Sequence, residues 1–259
     1  MAKILIKNKV QIEGIRQSSI LAAKTLDYAE QFVKSGVSTQ FIDDKINEYI
    51  TSHGAVPATL GYNGYTRSSC ISPNEVVCHG IPSESVVLKD GDIVNIDVTT
   101  ILDGYYGDTS RMYSVGNVSP AAANLMDVAR HCLDLGIQQV KPGNYLGNIG
   151  FVISRYAVAK GCSVVYQFCG HGVGVEFHED LQVDHTSRRN SGPIMRPGMT
   201  FTIEPMINQG RPAVTVDRKD GWTARTIDLK LSAQYEHTVL VTETGYEVLS
   251  DIHGNYPIT

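Results

Sequence analysis

The chain repeats itself at an offset of 107 residues, and this duplication limits its fold more than any other feature. Val33-Lys34-Ser35-Gly36 falls on Val140-Lys141-Pro142-Gly143, Ile42 on Ile149, Ile46 on Ile153 and Tyr49 on Tyr156. Gly54 falls on Gly161, Gly91 on Gly198, and the pair Ile96-Asp97 on Ile203-Glu204. Two related halves, roughly 10–115 and 119–249, that carry an acid at the same place build a shared, acid-lined centre. Such a centre suits metal, because a carboxylate on a strand face is costly to bury unless it is paired or ligated.

Helix pairs recur at the same offset. Residues 10 to 35 read as an amphipathic helix with Ile15, Ala22, Leu26, Ala29 and Val33 on one face and Gly36 as its stop. Ser38 caps a second helix, with Ile42, Ile46, Tyr49 and Ile50 on its apolar face. Ser119-Pro120 opens a third, carrying Leu125, Val128, Ala129, Cys132 and Leu135. A fourth spans about 146 to 160 with Ile149, Val152, Ile153 and Tyr156. Strands follow each pair. In 92–99 Val94, Ile96 and Val98 face one side and Asn95, Asp97 and Thr99 the other; 199–204 repeats this with Phe201 and Ile203 opposite Thr202 and Glu204. Further strands are expected at 109–115, 163–168, 213–216, 237–243 and 246–249. No linker or shift of composition separates the halves, so residues 1–259 read as one catalytic domain of α+β class, with helices over a mostly antiparallel sheet.

Composition narrows the setting. The chain has 259 residues, 42% of them hydrophobic, enough to bury a substantial core. A net charge of −5 without any basic run argues against nucleic acid and an anionic membrane as partners. The five cysteines, Cys70, Cys78, Cys132, Cys162 and Cys169, are odd in number and show no CxxC spacing, which argues against a disulfide framework and for a reducing cytoplasm. The apolar run Ile4-Leu5-Ile6 is too short for a signal peptide, and no later segment is long enough to span a bilayer.

Asp97, Asp108, His171, Glu204 and Glu236 are the candidate ligands. Asp108 comes eleven residues after Asp97 behind Gly107, as a hairpin partner would, and Glu236 opens the apolar run Val239-Leu240-Val241. Acids packed together raise one another's pKa and need a cation to coexist ionised. Four carboxylates balance two divalent cations, and oxygen ligation with one imidazole suits Mn, Fe, Co or Zn. Such paired ions hold a bridging water and lower its pKa from about 15.7 towards about 7, which points to metal-assisted hydrolysis. His79, His171 and His178 add to this: glycine flanks the first two in Cys78-His79-Gly80 and Gly170-His171-Gly172, so something can approach them closely.

At these residues the chain resembles the bacterial type I methionine aminopeptidases, over essentially its whole length. The resemblance lies in Gly61-Tyr62-Asn63-Gly64-Tyr65, Asn74-Glu75-Val76-Val77-Cys78-His79-Gly80-Ile81-Pro82 and Gly91-Asp92-Ile93-Val94-Asn95-Ile96-Asp97-Val98. It continues in Gly107-Asp108-Thr109-Ser110-Arg111, Gly170-His171-Gly172-Val173-Gly174, Thr202-Ile203-Glu204-Pro205-Met206 and Ser232-Ala233-Gln234-Tyr235-Glu236-His237-Thr238. It implies the pita-bread fold, two pseudo-twofold halves around a central antiparallel sheet. It also implies that Asp108 and Glu236 bridge two divalent ions (Co, Mn, Fe or Zn), that Asp97 binds one, and that His171 and Glu204 complete the other. Glu204 would activate the water, His178 would stabilise the oxyanion, and His79 would contact the departing nitrogen. Thr59, Tyr62, Tyr65, Cys70, His79, Phe177, His178 and Trp222 would line the substrate pocket, with Thr59 standing where relatives commonly carry cysteine. Na or K would sit near Asn74, Val76 and Ser232, a plain backbone turn being the alternative.

The function so implied is removal of the initiator methionine from nascent chains when the second residue is small, and the chain's own Met1-Ala2 would qualify. N-terminal segments of nascent proteins are then its partners, with transient ribosome contact and a monomeric state as further expectations. Two alternatives stand beside it. A proline-directed pita-bread aminopeptidase or dipeptidase would share the ligands, but those relatives usually carry an added N-terminal domain, whereas this chain enters its first repeat helix almost at once. A non-catalytic pita-bread binding protein predicts an eroded ligand set, and here all five ligands, His79 and His178 are present.

Overall fold

The computed structural model describes residues 3–259. Met1 and Ala2, and with them the expected self-substrate Met1-Ala2, lie outside the described residues. Helix α1, Lys9–Glu30, starts from a reciprocal cap: the Gln11 N–H donates to Asn8 Oδ1 and the Asn8 N–H to Gln11 Oε1, each at 3.0 Å. It ends before the expected Gly36. Phe32 and Val33 donate to carbonyls three residues back, Ala29 and Glu30, which tightens the chain out of α geometry. Gly36, at φ 88°, serves the following turn instead. Helices α2 (Thr39–Ser52) and α3 (Pro120–Ile137) start as expected, the Ser38 and Ser119 hydroxyls accepting from the N–H groups of Phe41 and Ala122. Helix α4, Gly147–Ala159, completes the second pair.

The helices back a nine-stranded sheet whose pairings are all antiparallel. Val56–Pro57 and Cys70–Pro73 pair with Ile93–Leu102, which forms a hairpin with Tyr105–Ser114. Its two-residue turn is Asp103-Gly104, at φ 51° and 82°, the positive values that a type I′ hairpin turn demands. Tyr105–Ser114 then meets Glu236–Val241, and this contact is the seam between the halves: Glu236 stands opposite Ser110 and His237 opposite Thr109. Beyond the seam lie Thr200–Ile203, Gly170–Gly172 and Glu179–Val183, with Tyr246–Val248 paired to Glu236–Val241. Two three-stranded sheets complete the fold; one joins Ser163–Val164, Met206–Asn208 and Ser232–Gln234, the other Val76–Cys78, Val214–Val216 and Ala224–Thr226. The strand expected over 163–168 is cut short at Val164. Gln167 instead grips Val214 by its side chain, accepting from the N–H at 2.8 Å and donating to the carbonyl at 2.9 Å.

The repeat is visible as two cores. One gathers Ile42, Ile46 and Ile96 between α1, α2 and the first-half strands; the other gathers Ile149, Ile153 and Ile203 with α3 and α4. All six are fully buried, each contributing about 1.5–3 kcal/mol of hydrophobic burial. Backbone conformation repeats as well: Gly54 and Gly161 lie at φ 76° and 75°, Gly91 and Gly198 at 94° and 86°. The opposite faces of the strands, with Asn95, Asp97 and Thr99 in one half and Thr202 in the other, are not open to water as ordinary polar faces are. They line a shared interior.

Candidate active site

The five expected ligands all line one cavity of about 540 Å³, and no lysine or arginine lines it. Strand register puts them there. Asp97 faces Ser110 across the hairpin and Asp108 faces Thr99, so both acids lie on the same sheet face, two residues apart in register. Glu236 enters from the other side of the seam, opposite Ser110. Glu204 follows Ile203 out of its strand, and His171 sits in the neighbouring Gly170–Gly172 strand. Ligand atoms of Asp108, His171 and Glu236 lie within 4.8 Å of one another.

The hydrogen bonds fix which atoms are free. Thr99 Oγ1 donates to Asp108 Oδ1 at 2.7 Å, leaving Oδ2 towards His171 Nε2 at 3.5 Å. Thr202 Oγ1 accepts the His171 amide at 3.0 Å and donates to Glu204 Oε1 at 2.7 Å. Gln234 Nε2 holds the other carboxylate oxygen at 3.2 Å. His171 Nδ1 lies 3.0 Å from the Gly172 carbonyl, which can only accept, so the proton is on Nδ1 and Nε2 presents a lone pair. That lone pair faces Asp108 Oδ2 and, at 3.7 Å, Glu204 Oε1. Three acceptors turned on one point repel unless a proton or a metal cation stands between them.

Electrostatics agree. Burial, opposed by the hydrogen bond from Thr99, pushes Asp108 up to about 7, and burial with the nearby Asp108 charge pushes Glu204 up to about 8. Asp97 and Glu236 are raised well above the carboxylate range by burial and then by their acidic neighbours. Burial pulls His171 down to about 3, so its ring is neutral. Asp97 Oδ1 is buried without a hydrogen-bond partner. Neutral imidazole, bare carboxylate oxygen and four acids without a basic counter-group are the donor set that divalent cations require.

All eight expected pocket residues line the same cavity. Phe177 packs against Tyr62 and His178, with ring centroids at 4.7 and 4.3 Å. Trp222 stands edge-on to Tyr65 at 5.1 Å, and the Tyr65 hydroxyl faces the Ser69 and Gly80 carbonyls at 3.1 and 3.0 Å. Thr59 is buried and its hydroxyl donates to the Arg67 carbonyl at 3.1 Å, so its methyl and not its oxygen is free for the pocket. His79 takes the left-handed conformation, φ 57°, uncommon outside glycine and placed here beside Phe168 and Trp222. Burial draws His79 and His178 each down to about 4, so both are neutral donors near pH 7. The glycines beside the histidines serve a different purpose from the one expected. A Cβ at Gly80 would stand 2.3 Å from the Ile71 carbonyl oxygen, and one at Gly170 2.4 Å from that of Thr202. Gly80 and Gly170 admit neighbouring backbone, whereas a Cβ at Gly172 would stand 3.0 Å from the Glu179 side chain.

Asn74 lies at φ 54° in the turn before the strand that Val76 opens, and its carbonyl accepts the Ser232 amide at 2.9 Å. Sequence reasoning passed over Thr99, Thr202 and Gln234 as functional partners, although alternation already put Thr99 and Thr202 on the acid-bearing faces. It also passed over His185, whose Nε2 accepts the Glu204 N–H at 3.1 Å.

Comparison with known proteins agrees with this geometry. Residues 13–243 match the model of metallopeptidase family M24. The methionine aminopeptidase A of Synechocystis is 50% identical over 248 residues, covering 95% of this chain and 97% of the relative. The Escherichia coli K12 methionine aminopeptidase is likewise 50% identical, over 95% of this chain and 94% of its own. The crystal structure of the Rickettsia prowazekii methionine aminopeptidase superposes with a TM-score of 0.95 at 45% identity, covering 96% of this chain and all of the other.

Proposed function

Because the chain belongs to metallopeptidase family M24, in its bacterial type I methionine aminopeptidase branch, we propose that Asp97, Asp108, His171, Glu204 and Glu236 hold its two metal ions and that Glu204 doubles as the base. The fold is the α+β pita-bread fold, and the protein is a metal-dependent exopeptidase that removes N-terminal methionine. Nascent chains supply its substrates. One observation carries the ligand assignment: a lone pair on neutral His171 and oxygens of two carboxyl groups converge with no basic side chain between them.

In this reading Asp97, Asp108, His171, Glu204 and Glu236 would together hold the two ions, with Asp108, His171 and Glu236 close enough to share one of them. When bound, the two divalent ions (Co, Mn, Fe or Zn) supply Lewis acidity and bring the pKa of water from about 15.7 towards about 7. Glu204, aimed by Thr202 and Gln234, takes the proton of the attacking water. His178 turns a neutral N–H to the scissile carbonyl oxygen as it gains charge. His79 contacts the peptide nitrogen and assists its departure. The free amine of the substrate binds on the Asp97 side, which confines cleavage to chain ends. Tyr62, Tyr65, Cys70, Phe177 and Trp222 suit methionine, whose sulfur favours aromatic surroundings, and Thr59 tunes that wall. A tight space beyond the scissile bond selects a small second residue. Na or K would be held at Asn74, Val76 and Ser232.

Residues 1–259 act as one catalytic domain, a reading supported by the seam strands that join both halves in one sheet, and the enzyme works as a monomer. The test is a Met-Ala-Ser assay beside dipeptides with proline second. Faster release of methionine from the tripeptide is expected; preference for the proline substrates would favour the proline-directed reading.

A further inference from the structure

The amide of Glu204 has no strand to pair with, and its N–H donates instead to His185 Nε2 at 3.1 Å. His185 lies two residues past the Glu179–Val183 strand and keeps that strand's alternation, for Leu181, Val183 and His185 are buried while Gln182 and Asp184 are exposed. It is 1% exposed. Helix α4 closes on its backbone through Gly150, where a Cβ would stand 2.2 Å from the Asp184 carbonyl oxygen and 2.8 Å from the His185 carbonyl carbon.

An acceptor at Nε2 fixes the protonation of this ring. The proton must sit on Nδ1, because an Nε2–H or an imidazolium would set two donors face to face. Yet Nδ1 is buried without a hydrogen-bond partner, an arrangement unfavourable for a donor. Leucine would fill the space without it. What histidine adds is the acceptor.

We infer that His185 is a positioning residue for the reaction: its Nε2 pins the Glu204 amide while Thr202 and Gln234 hold the two carboxylate oxygens, so the carboxylate is aimed by three contacts before substrate arrives. Glu204 precedes Pro205, which restricts it to extended backbone, and the amide bond removes the freedom that remains at a strand end. The inference rests on the reading of Glu204 as ligand and base given above.

The experiment compares wild type, His185→Leu, His185→Gln and Glu204→Gln. Glutamine can return an acceptor near the Nε2 position; leucine cannot. In metal-stripped wild type, NMR should find the Glu204 amide protected from hydrogen exchange and the His185 ring as its Nδ1–H tautomer. His185→Leu should lose that protection and, loaded with Mn, lose about 10–100-fold in kcat on Met-Ala-Ser with KM little changed. His185→Gln should recover both. An unprotected Glu204 amide in wild type, an Nε2–H tautomer, unchanged kcat in His185→Leu, or a glutamine variant no better than leucine would overturn the inference. Should His185→Leu fail to fold, the tautomer and the exchange rates of wild type and His185→Gln still decide. An inactive Glu204→Gln beside an unchanged His185→Leu sinks only the role of His185. A fully active Glu204→Gln sinks the reading of Glu204 and this inference with it.

Discussion

The two halves put an acid at the same point of the same repeat and hold it in opposite ways. Asp97 lies inside a ten-residue strand, paired to Cys70 on one side and Ser110 on the other. The ladder fixes its backbone, and its Oδ1 is left bare. Glu204 follows a four-residue strand and is held by the side chains of Thr202, Gln234 and His185. Duplication supplied the position, and divergence supplied the role. A ladder-held acid offers bare oxygen to a cation, whereas a side-chain-held acid can be aimed at a proton.

The largest test of this contrast is Glu204→Gln, expected to lower kcat on Met-Ala-Ser by about 10²–10⁴-fold without recovery in excess metal. Asp97→Asn should lose activity through metal affinity, and so regain it as metal is raised. Equal responses of the two variants to added metal would erase the distinction. Next comes Lys7→Met. Lys7 and Glu179 form a buried ion pair against the cavity wall of the second half, and the first half has no such support among the described residues. Removing one partner of a buried pair costs about 3–5 kcal/mol, which urea unfolding would register; a loss under about 1 kcal/mol would show that the charge escapes to water.

Smaller effects separate the two threonines. Thr202→Val, which frees Glu204, should lower kcat, and Thr99→Val, which frees Asp108, should weaken metal binding measured by calorimetry, each by about 10–100-fold. Identical kinetic signatures would mean that both acids serve only as ligands. The mildest effect is on metal-free stability. Asp108 and Glu204 rise from 3.8 and 4.5 to about 7 and about 8 on folding, so between those limits the folded state keeps protons that the unfolded chain has released. Their contribution is therefore full below about pH 4 and is lost as pH rises towards about 8. Metal-stripped protein should melt lower at pH 9 than at pH 7, a window in which the buried neutral histidines contribute little further change, and divalent metal should cancel the trend; a metal-free Tm that climbs over this range contradicts it.

Much of this was legible in the chain. The repeat located both cores and both acid-bearing strands, since burial at Ile42, Ile46 and Ile96 is dictated by a pattern that recurs at Ile149, Ile153 and Ile203. The Asp103-Gly104 turn explains why Asp97 and Asp108 share a face. Helix capping was read correctly at Ser38 and Ser119 but not the end of α1, because local bonds after Glu30 override a distant glycine. Short strands such as Gly170–Gly172 carry no alternation to detect. Gly80 and Gly170 misled, since close backbone packing and ligand access call for the same residue. His185 stayed hidden because its role rests on a contact 19 residues away, to an amide and not a side chain.

The most direct test of the central claim, that the duplicated acids build a two-metal hydrolytic centre, is to strip the protein of metal and follow Met-Ala-Ser hydrolysis during titration with Mn, Fe, Co and Zn. Activity should be absent at the start and return with at least one of these ions, with calorimetry showing two binding events that Asp108→Asn and Glu236→Gln abolish. No methionine released with any metal, or undiminished release by the stripped protein, would contradict it.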